Sequence, residues 1–269
     1  MKIDALRLAK SAHDPIEAGN LLREYVQARI LGSLHESRAF ESLSFVGGTA
    51  LRFLYALPRF SEDLDFSLET PAGYDAARWL KKLKRDLEFQ GFDATVTFSD
   101  KNVVQVAWVR IADLLSPAGL TPRKERKLAI KLEIDTAPPA GARLETKMVT
   151  RHLLFGVRHH DLPSLMAGKI RAMLTRPYTK GRDWFDLLWY SSQIPAVEPN
   201  MTLLSNALAQ GSPCREPPIQ ASEWREALAS KLGTFDFEAL RADVSPFLER
   251  REDSAALNEV ALRAAISKD

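Results

Sequence analysis

Apolar and polar positions along this chain follow two rhythms, and the change between them near residue 160 divides it. Residues 15–35 place Leu21, Leu22, Tyr25, Val26, Ile30 and Leu31 at helical spacing and predict a helix. Leu43 to Val46 reads as a short buried strand, Thr49 to Tyr55 as a helix and Asp63 to Ser67 as a second strand. From 74 to 90, Trp79, Leu80, Leu83, Leu87 and Phe89 are interspersed with Lys81, Lys82, Lys84, Arg85 and Asp86, the pattern of an amphipathic helix. β-branched and aromatic residues predict strands at 92–98 and 103–111. Leu128 to Asp135 predicts another, and a strand or two fall near 147–158. From Asp161 the period turns helical, with segments at 161–175, 182–192, 220–232, 236–243 and 253–266. The loop from Pro195 to Asn200 and the Pro-rich stretch 213–218 interrupt it. The expectation is an α+β fold: a mixed sheet with flanking helices over 1–160, then a helical half over 161–269.

Composition narrows the class. With 269 residues, 45% of them hydrophobic, the chain has room for one large domain or two modest ones around a sizeable core. A formal net charge of +2 demands no nucleic-acid partner and leaves that question to local clusters. The single cysteine, Cys214, excludes an intrachain disulfide. The start has no signal-peptide pattern, and no run approaches the ~18 apolar residues of a membrane span, so a soluble cytoplasmic protein with no membrane partner is expected.

The chemistry concentrates between Phe45 and Leu68. Asp63 and Asp65 are two apart on a predicted strand and aim to one face, while Leu64 and Phe66 aim to the other. Two adjacent carboxylates repel each other and call for a hard cation such as Mg2+ (or Mn2+), which binds through one or two carboxylates plus substrate phosphates. Gly47 and Gly48 let backbone N–H groups approach a phosphate, and the helix expected from Thr49 points its positive end there. Together these parts describe a site for a metal-bound nucleoside triphosphate (NTP). Ser61 shares the Asp63 face if the strand extends that far, so a phosphate added there would compete with metal and triphosphate. Glu133 and Asp135 are again two apart, and either one could complete a three-carboxylate cluster able to hold two metal ions; the alternative is a pair of solvated charges.

Three further features stand open at this level. Lys169 interrupts the apolar stripe Leu165, Met166, Ile170, Met173, Leu174, so it must snorkel, pair with a carboxylate or reach a phosphate, and Gly168 beside it allows another backbone to come close. Asp183 and Asp186 sit on a strongly apolar helix; Asp183 is either a helix cap with an arginine partner or a catalytic group, and Arg176, Lys180 and Arg182 lie just upstream. The basic run Arg123 to Lys127, with Lys131, is either a solvated loop or a contact for polynucleotide phosphates.

In order, the blocks Gly47-Gly48-Thr49-Ala50-Leu51-Arg52, Pro58 to Phe66, Lys131 to Asp135, Lys169 and Thr175 to Asp186 resemble the AbiEii/AbiGii-type nucleotidyltransferase toxins of the DNA polymerase β-like superfamily. The resemblance covers residues 47 to about 190; the tail from 195 carries no matching motif. It implies a toxin of a toxin–antitoxin system that adds nucleotides to the 3′ end of tRNA and blocks translation, with a cognate antitoxin as partner. By it, Gly47, Gly48 and Thr49 cradle the triphosphate, Asp63 and Asp65 hold the metal, Lys169 neutralises phosphate charge, and Asp183 acts in the second active-site motif. Arg52, Arg59, Ser61 and Arg182 join the expected nucleotide-binding set, Arg52 or Arg59 offsetting pyrophosphate charge. The alternatives are transfer to a small molecule or a protein hydroxyl, and a nucleic-acid-binding module with a degenerate site.

Overall fold

The computed structural model describes residues 1–211 and 219–267. Cys214 and the Pro-rich stretch 213–218 lie outside the described residues. Contacts divide the chain into two compact units: unit 1 holds Met1–Pro138 and Glu145–His159, and unit 2 holds Pro139–Leu144 and His160–Asp269.

Unit 1 begins with helices α1 (Lys2–Lys10) and α2 (Pro15–Glu36). The first was not anticipated, because only its alanines Ala5 and Ala9 are buried and small residues leave a faint periodic signal. For α2, Asp14 accepts hydrogen bonds from the Ile16 and Glu17 N–H groups, and Pro15 supplies a first helical residue with no N–H to lose. Buried residues occur all round it, Glu24 and Gln27 included, so this is a core helix rather than a surface one.

Then follow β1 (Leu43–Val46), α3 (Gly47–Tyr55), β2 (Leu64–Leu68), α4 (Ala76–Phe89), β3 (Asp93–Ser99), β4 (Val104–Ala112), β5 (Leu128–Asp135), β6 (Leu144–Val149) and β7 (Phe155–His160). The strands form one seven-stranded mixed sheet in the order β3-β4-β5-β2-β1-β7-β6. β2 pairs antiparallel with β1 and parallel with β5. One face packs Leu43, Phe66, Ala107, Leu132 and Ile134 against Leu34 of α2 and Trp79 and Leu80 of α4. On α4, Phe89 departs from the expected stripe: it is 84% exposed, since it falls on the last residue of the helix, past the buried Leu87.

The strand alternation leaves the other face polar. Along β5, Leu128, Ile130, Leu132 and Ile134 are buried while Ala129, Lys131, Glu133 and Asp135 are half-exposed. That second face carries the candidate chemistry.

Unit 2 is built on helices, as the changed period predicts: α5 (Leu162–Thr175), α6 (Gly181–Ser191), α7 (Met201–Gly211), α8 (Trp224–Leu232), α9 (Phe237–Val244) and α10 (Glu259–Ile266). Asp161 caps α5 by accepting from the Ser164 N–H at 2.8 Å. Among the described residues no helix is long and apolar enough to cross a membrane.

Candidate active site

The turn from β1 into α3 sets the geometry of unit 1. Gly47 has φ +77°, a left-handed backbone that L side chains rarely adopt. A Cβ there would lie 2.2 Å from the Asp65 Oδ2, so the carboxylate occupies the space that a side chain would need. A Cβ on Gly48 would meet the Arg59 guanidinium at 2.8 Å and the Ser61 hydroxyl at 3.1 Å. Both glycines are therefore demanded by close approach of site residues from the segment 59–65. The first turn of α3 has Val46 as N-cap, which makes no side-chain cap bond, so a phosphate can take that place.

Thr49 is buried and donates its hydroxyl to the Asp63 carbonyl oxygen, which anchors the start of β2. Its side chain thus fixes a carboxylate-bearing residue and does not face outward. Gln27 on α2 donates to the carbonyls of Ser61 at 3.1 Å and Glu62 at 2.9 Å, holding the same segment from behind. Arg59 is buried and donates to the Phe60 carbonyl at 2.9 Å.

Across the sheet, Asp65 stands opposite Glu133, and Ser67 stands opposite Asp135. Glu133 is thus the carboxylate placed beside Asp65. Asp135 ends its strand, where it accepts from the Ala137 N–H at 3.0 Å. Lys131, on the same face, pairs with Glu133 at 2.8 Å. The hydrogen bond that Lys131 donates to Glu133 holds its ammonium above the ordinary pKa against the opposing effect of partial burial, and the charges of Glu133, Asp63 and Asp65 add to it. Asp63, Asp65 and Glu133 therefore make one negative field that Lys131 already feels. The basic run Arg123 to Lys127 is an exposed turn at the entry to this strand.

These residues fit a divalent cation of the hard, oxygen-seeking kind. The Asp65 carboxylate lies against the glycine turn and Asp63 adds to its field at Lys131, and carboxylates with phosphate oxygens are the donor set that Mg2+ prefers. Among the described residues no three of His, Cys, Asp or Glu come together as a ready-made cage, so the remaining ligands would come from substrate and water.

Arg52 is placed differently from the rest. It is 3% exposed and donates to Glu24 Oε2 at 2.6 Å and to the Leu57 carbonyl at 3.0 Å, with its guanidinium 4.5 Å from the Phe60 ring centroid. It ties α3 to α2. Glu24 also meets Arg151 at 3.2 Å and His152 at 3.0 Å. Burial pushes the Glu24 carboxyl up, but the His152 hydrogen bond, the Arg52 charge and hydrogen bond, and the Arg151 charge outweigh it and hold it down at about 2. Sequence reading did not find this cluster; a glutamate on a helix buried on all sides was the available signal.

In unit 2, Lys169 pairs with Asp183 at 2.7 Å and with Asp186 at 2.8 Å. Arg176 also pairs with Asp183. The interrupted stripe on α5 is thus a lysine sharing two carboxylates of α6, and Asp186, fully buried, is the partner that sequence reading did not assign. No side-chain cap bond is made at the start of α6, so Asp183 acts there as an ion-pair partner within the first turn. Gly168 meets nothing within 4 Å, which corrects the expectation of a close backbone. Gly181 does have such a contact: a Cβ would lie 2.1 Å from the Leu240 carbonyl oxygen of α9. Arg182 lays its guanidinium 4.1 Å from the Phe247 ring centroid.

The model of the family described as the nucleotidyl transferase AbiEii toxin, type IV TA (toxin–antitoxin) system, matches residues 29–260. Among solved structures, a proposed nucleotidyltransferase from H. pylori is similar at 21% identity and TM-score 0.53, over 89% of this chain and 93% of that one. JHP933 from Helicobacter pylori is similar at 21% identity and TM-score 0.50, over 91% of each chain. At that identity the likeness establishes the fold alone. No curated protein matches the chain.

Proposed function

We propose that this chain, which belongs to the AbiEii nucleotidyl transferase toxin family of type IV toxin–antitoxin systems, transfers a nucleoside monophosphate from an NTP to the 3′ end of tRNA and so blocks translation. The observation that carries the reading is the Asp65 carboxylate lying in the space left by Gly47 and beside Glu133, in a field that includes Asp63. Such a placement suits phosphate chemistry; a merely solvated strand face would not call for a left-handed glycine beneath a carboxylate.

Asp63 and Asp65, with substrate and water oxygens, would hold Mg2+ or Mn2+, and Glu133 beside Asp65 adds to their field; the ion when bound neutralises phosphate charge and stabilises attacking and leaving oxygens. The first-turn N–H groups of α3, freed by Gly47 and Gly48, bind the triphosphate. Thr49 and Gln27 keep the Ser61–Asp63 segment in place, which orients the carboxylates. The acceptor 3′ hydroxyl attacks the α-phosphorus; the new O–P bond forms, the bond to the β-phosphate oxygen breaks, and pyrophosphate leaves. The hydroxyl proton passes to a carboxylate of the site. Arg59 offsets charge at the glycine turn. For Lys169 and Asp183 we keep the roles that the family resemblance implies, neutralising phosphate charge and completing the second motif. The enzyme would act in the cytoplasm, restrained by a cognate antitoxin.

The test is purified protein with total tRNA, Mg2+ and each α-labelled ribonucleoside triphosphate in turn. Labelled tRNA is expected with at least one triphosphate and none from Asp63→Ala, whose melting temperature stays near that of the parent. Near-native transfer by Asp63→Ala would overturn the assignment. Label on a small molecule or protein instead of tRNA would replace the acceptor while keeping the chemistry.

A further inference from the structure

We infer that Trp108, braced by Arg110, is a stacking platform for an unpaired nucleobase on the same sheet face as the carboxylates; this deepens the nucleotidyl-transfer reading and rests on it. The alternation of β4 buries Ala107, Val109 and Ile111 and turns Val106, Trp108 and Arg110 to the polar face, where they are half-exposed. A large indole on the wetter side of a sheet leaves apolar surface that a partner can cover.

The ring is held ready. The Arg110 guanidinium lies 5.2 Å from its centroid, and the Arg110 side chain donates to the Thr97 hydroxyl at 3.2 Å. Thr97 belongs to β3, directly opposite Trp108. One face of the indole is therefore occupied by a cation that is itself tied down. Among the described residues the other face meets no aromatic ring.

Register places this ring in line with the chemistry. Trp108 stands opposite Lys131, Lys131 bonds Glu133, and Glu133 stands beside Asp65. Two strand spacings and one two-residue step put the Trp108 and Asp65 backbones about 12 Å apart, a span that one nucleotide and two side chains bridge. Stacking on an aromatic ring beside an arginine plane is how proteins hold unpaired bases, and it tolerates any base because each has a π-face. On the adjacent strand the exposed Ser99 offers a hydroxyl to base edges, while the Thr95 and Thr97 hydroxyls bond the Arg110 carbonyl and side chain. The base has two possible sources: the incoming triphosphate or the last unpaired residue of the acceptor.

Equilibrium binding separates them. Trp108→Leu keeps the apolar bulk and Trp108→Phe keeps a ring. Two ligands are titrated separately with Mg2+: each ribonucleoside triphosphate, and a hairpin RNA with an unpaired 3′ overhang. Trp108→Leu is expected to weaken one of them tenfold or more, with Trp108→Phe recovering most of the loss; whichever ligand is weakened is the source of the base. Inorganic triphosphate and the same hairpin with an abasic overhang should bind Trp108→Leu as they bind the parent. Should Trp108→Leu fail to fold, Arg110→Ala carries the comparison with about a fivefold loss expected. Affinity for both ligands unchanged within twofold overturns the platform, as does equal weakening of the base-free ligands, or a parent protein that binds neither ligand. A parent that transfers nucleotide while Trp108→Leu binds normally refutes the platform alone; one that transfers nothing yet binds a base through Trp108 refutes the transfer reading alone.

Discussion

Gly47 and Asp65 are separated by 18 positions and share one volume. Gly47→Ala would force a left-handed backbone on alanine and push the new methyl into the carboxylate. The expected cost is about 1–3 kcal/mol of stability, seen by urea unfolding, with transfer falling at least about a hundredfold. Gly168→Ala is the contrasting case: the position is exposed, inside a helix, with open space around it, so stability should rise by about 0.5–1 kcal/mol. At this scale the sequence was legible where spacing alone decides direction. Asp63 and Asp65 alternate with Leu64 and Phe66, and the double glycine announces close approach. It was illegible where a partner lies far along the chain. Arg52 stands next to the glycines, and nothing local shows that Glu24, 28 positions upstream, bonds it.

Pairing between elements distinguishes residues that spacing leaves equivalent. Glu133 and Asp135 are equivalent within their own strand; only the parallel register of β2 with β5 sets Glu133 against Asp65. No local pattern specifies that register, because the two strands are more than 60 positions apart in the chain. Under the proposed mechanism Glu133→Gln should lower transfer about ten- to a hundredfold, while Asp135→Asn stays within about twofold; equal effects would return the ligand to an open question. The tie between α2 and α3 gives a pH prediction. The Glu24 carboxyl sits at about 2 in the fold against an ordinary 4.5. Its contribution is therefore fully present above 4.5 and is lost as pH falls from there toward 2, amounting to at most about 3 kcal/mol. Urea unfolding across pH 2–5 should show this slope in the parent and a flatter one in Glu24→Gln. Helices rich in large apolar residues, such as α2 and α5, are legible within a residue or two, whereas α1, with two buried alanines, leaves too little periodicity to see.

Over the whole molecule, the sequence period changes near residue 160, and contacts separate residues 1–159 from residues 160–269 with one exception: Pro139–Leu144 joins the helical unit. That exception is tertiary: Asn200 donates to the Gly141 carbonyl at 2.8 Å, and Asn206 to that of Ala140 at 2.8 Å, neither of which has a local signature. If the carboxylates hold metal and triphosphate, binding should stabilise the fold by mass action, by about 2.7 kcal/mol at a hundred times the dissociation constant. The rise in melting temperature should vanish with EDTA and in Asp63→Ala. The strand bearing Asp65 is also fourth of seven, with a hydrogen-bonded neighbour on either side. Its amides should be among the last to exchange with solvent, because they open only when the sheet as a whole does. Fraying at the ends, a clipped terminus or a brief warming would leave this central strand seated, its carboxylate still held against the turn that Gly47 makes.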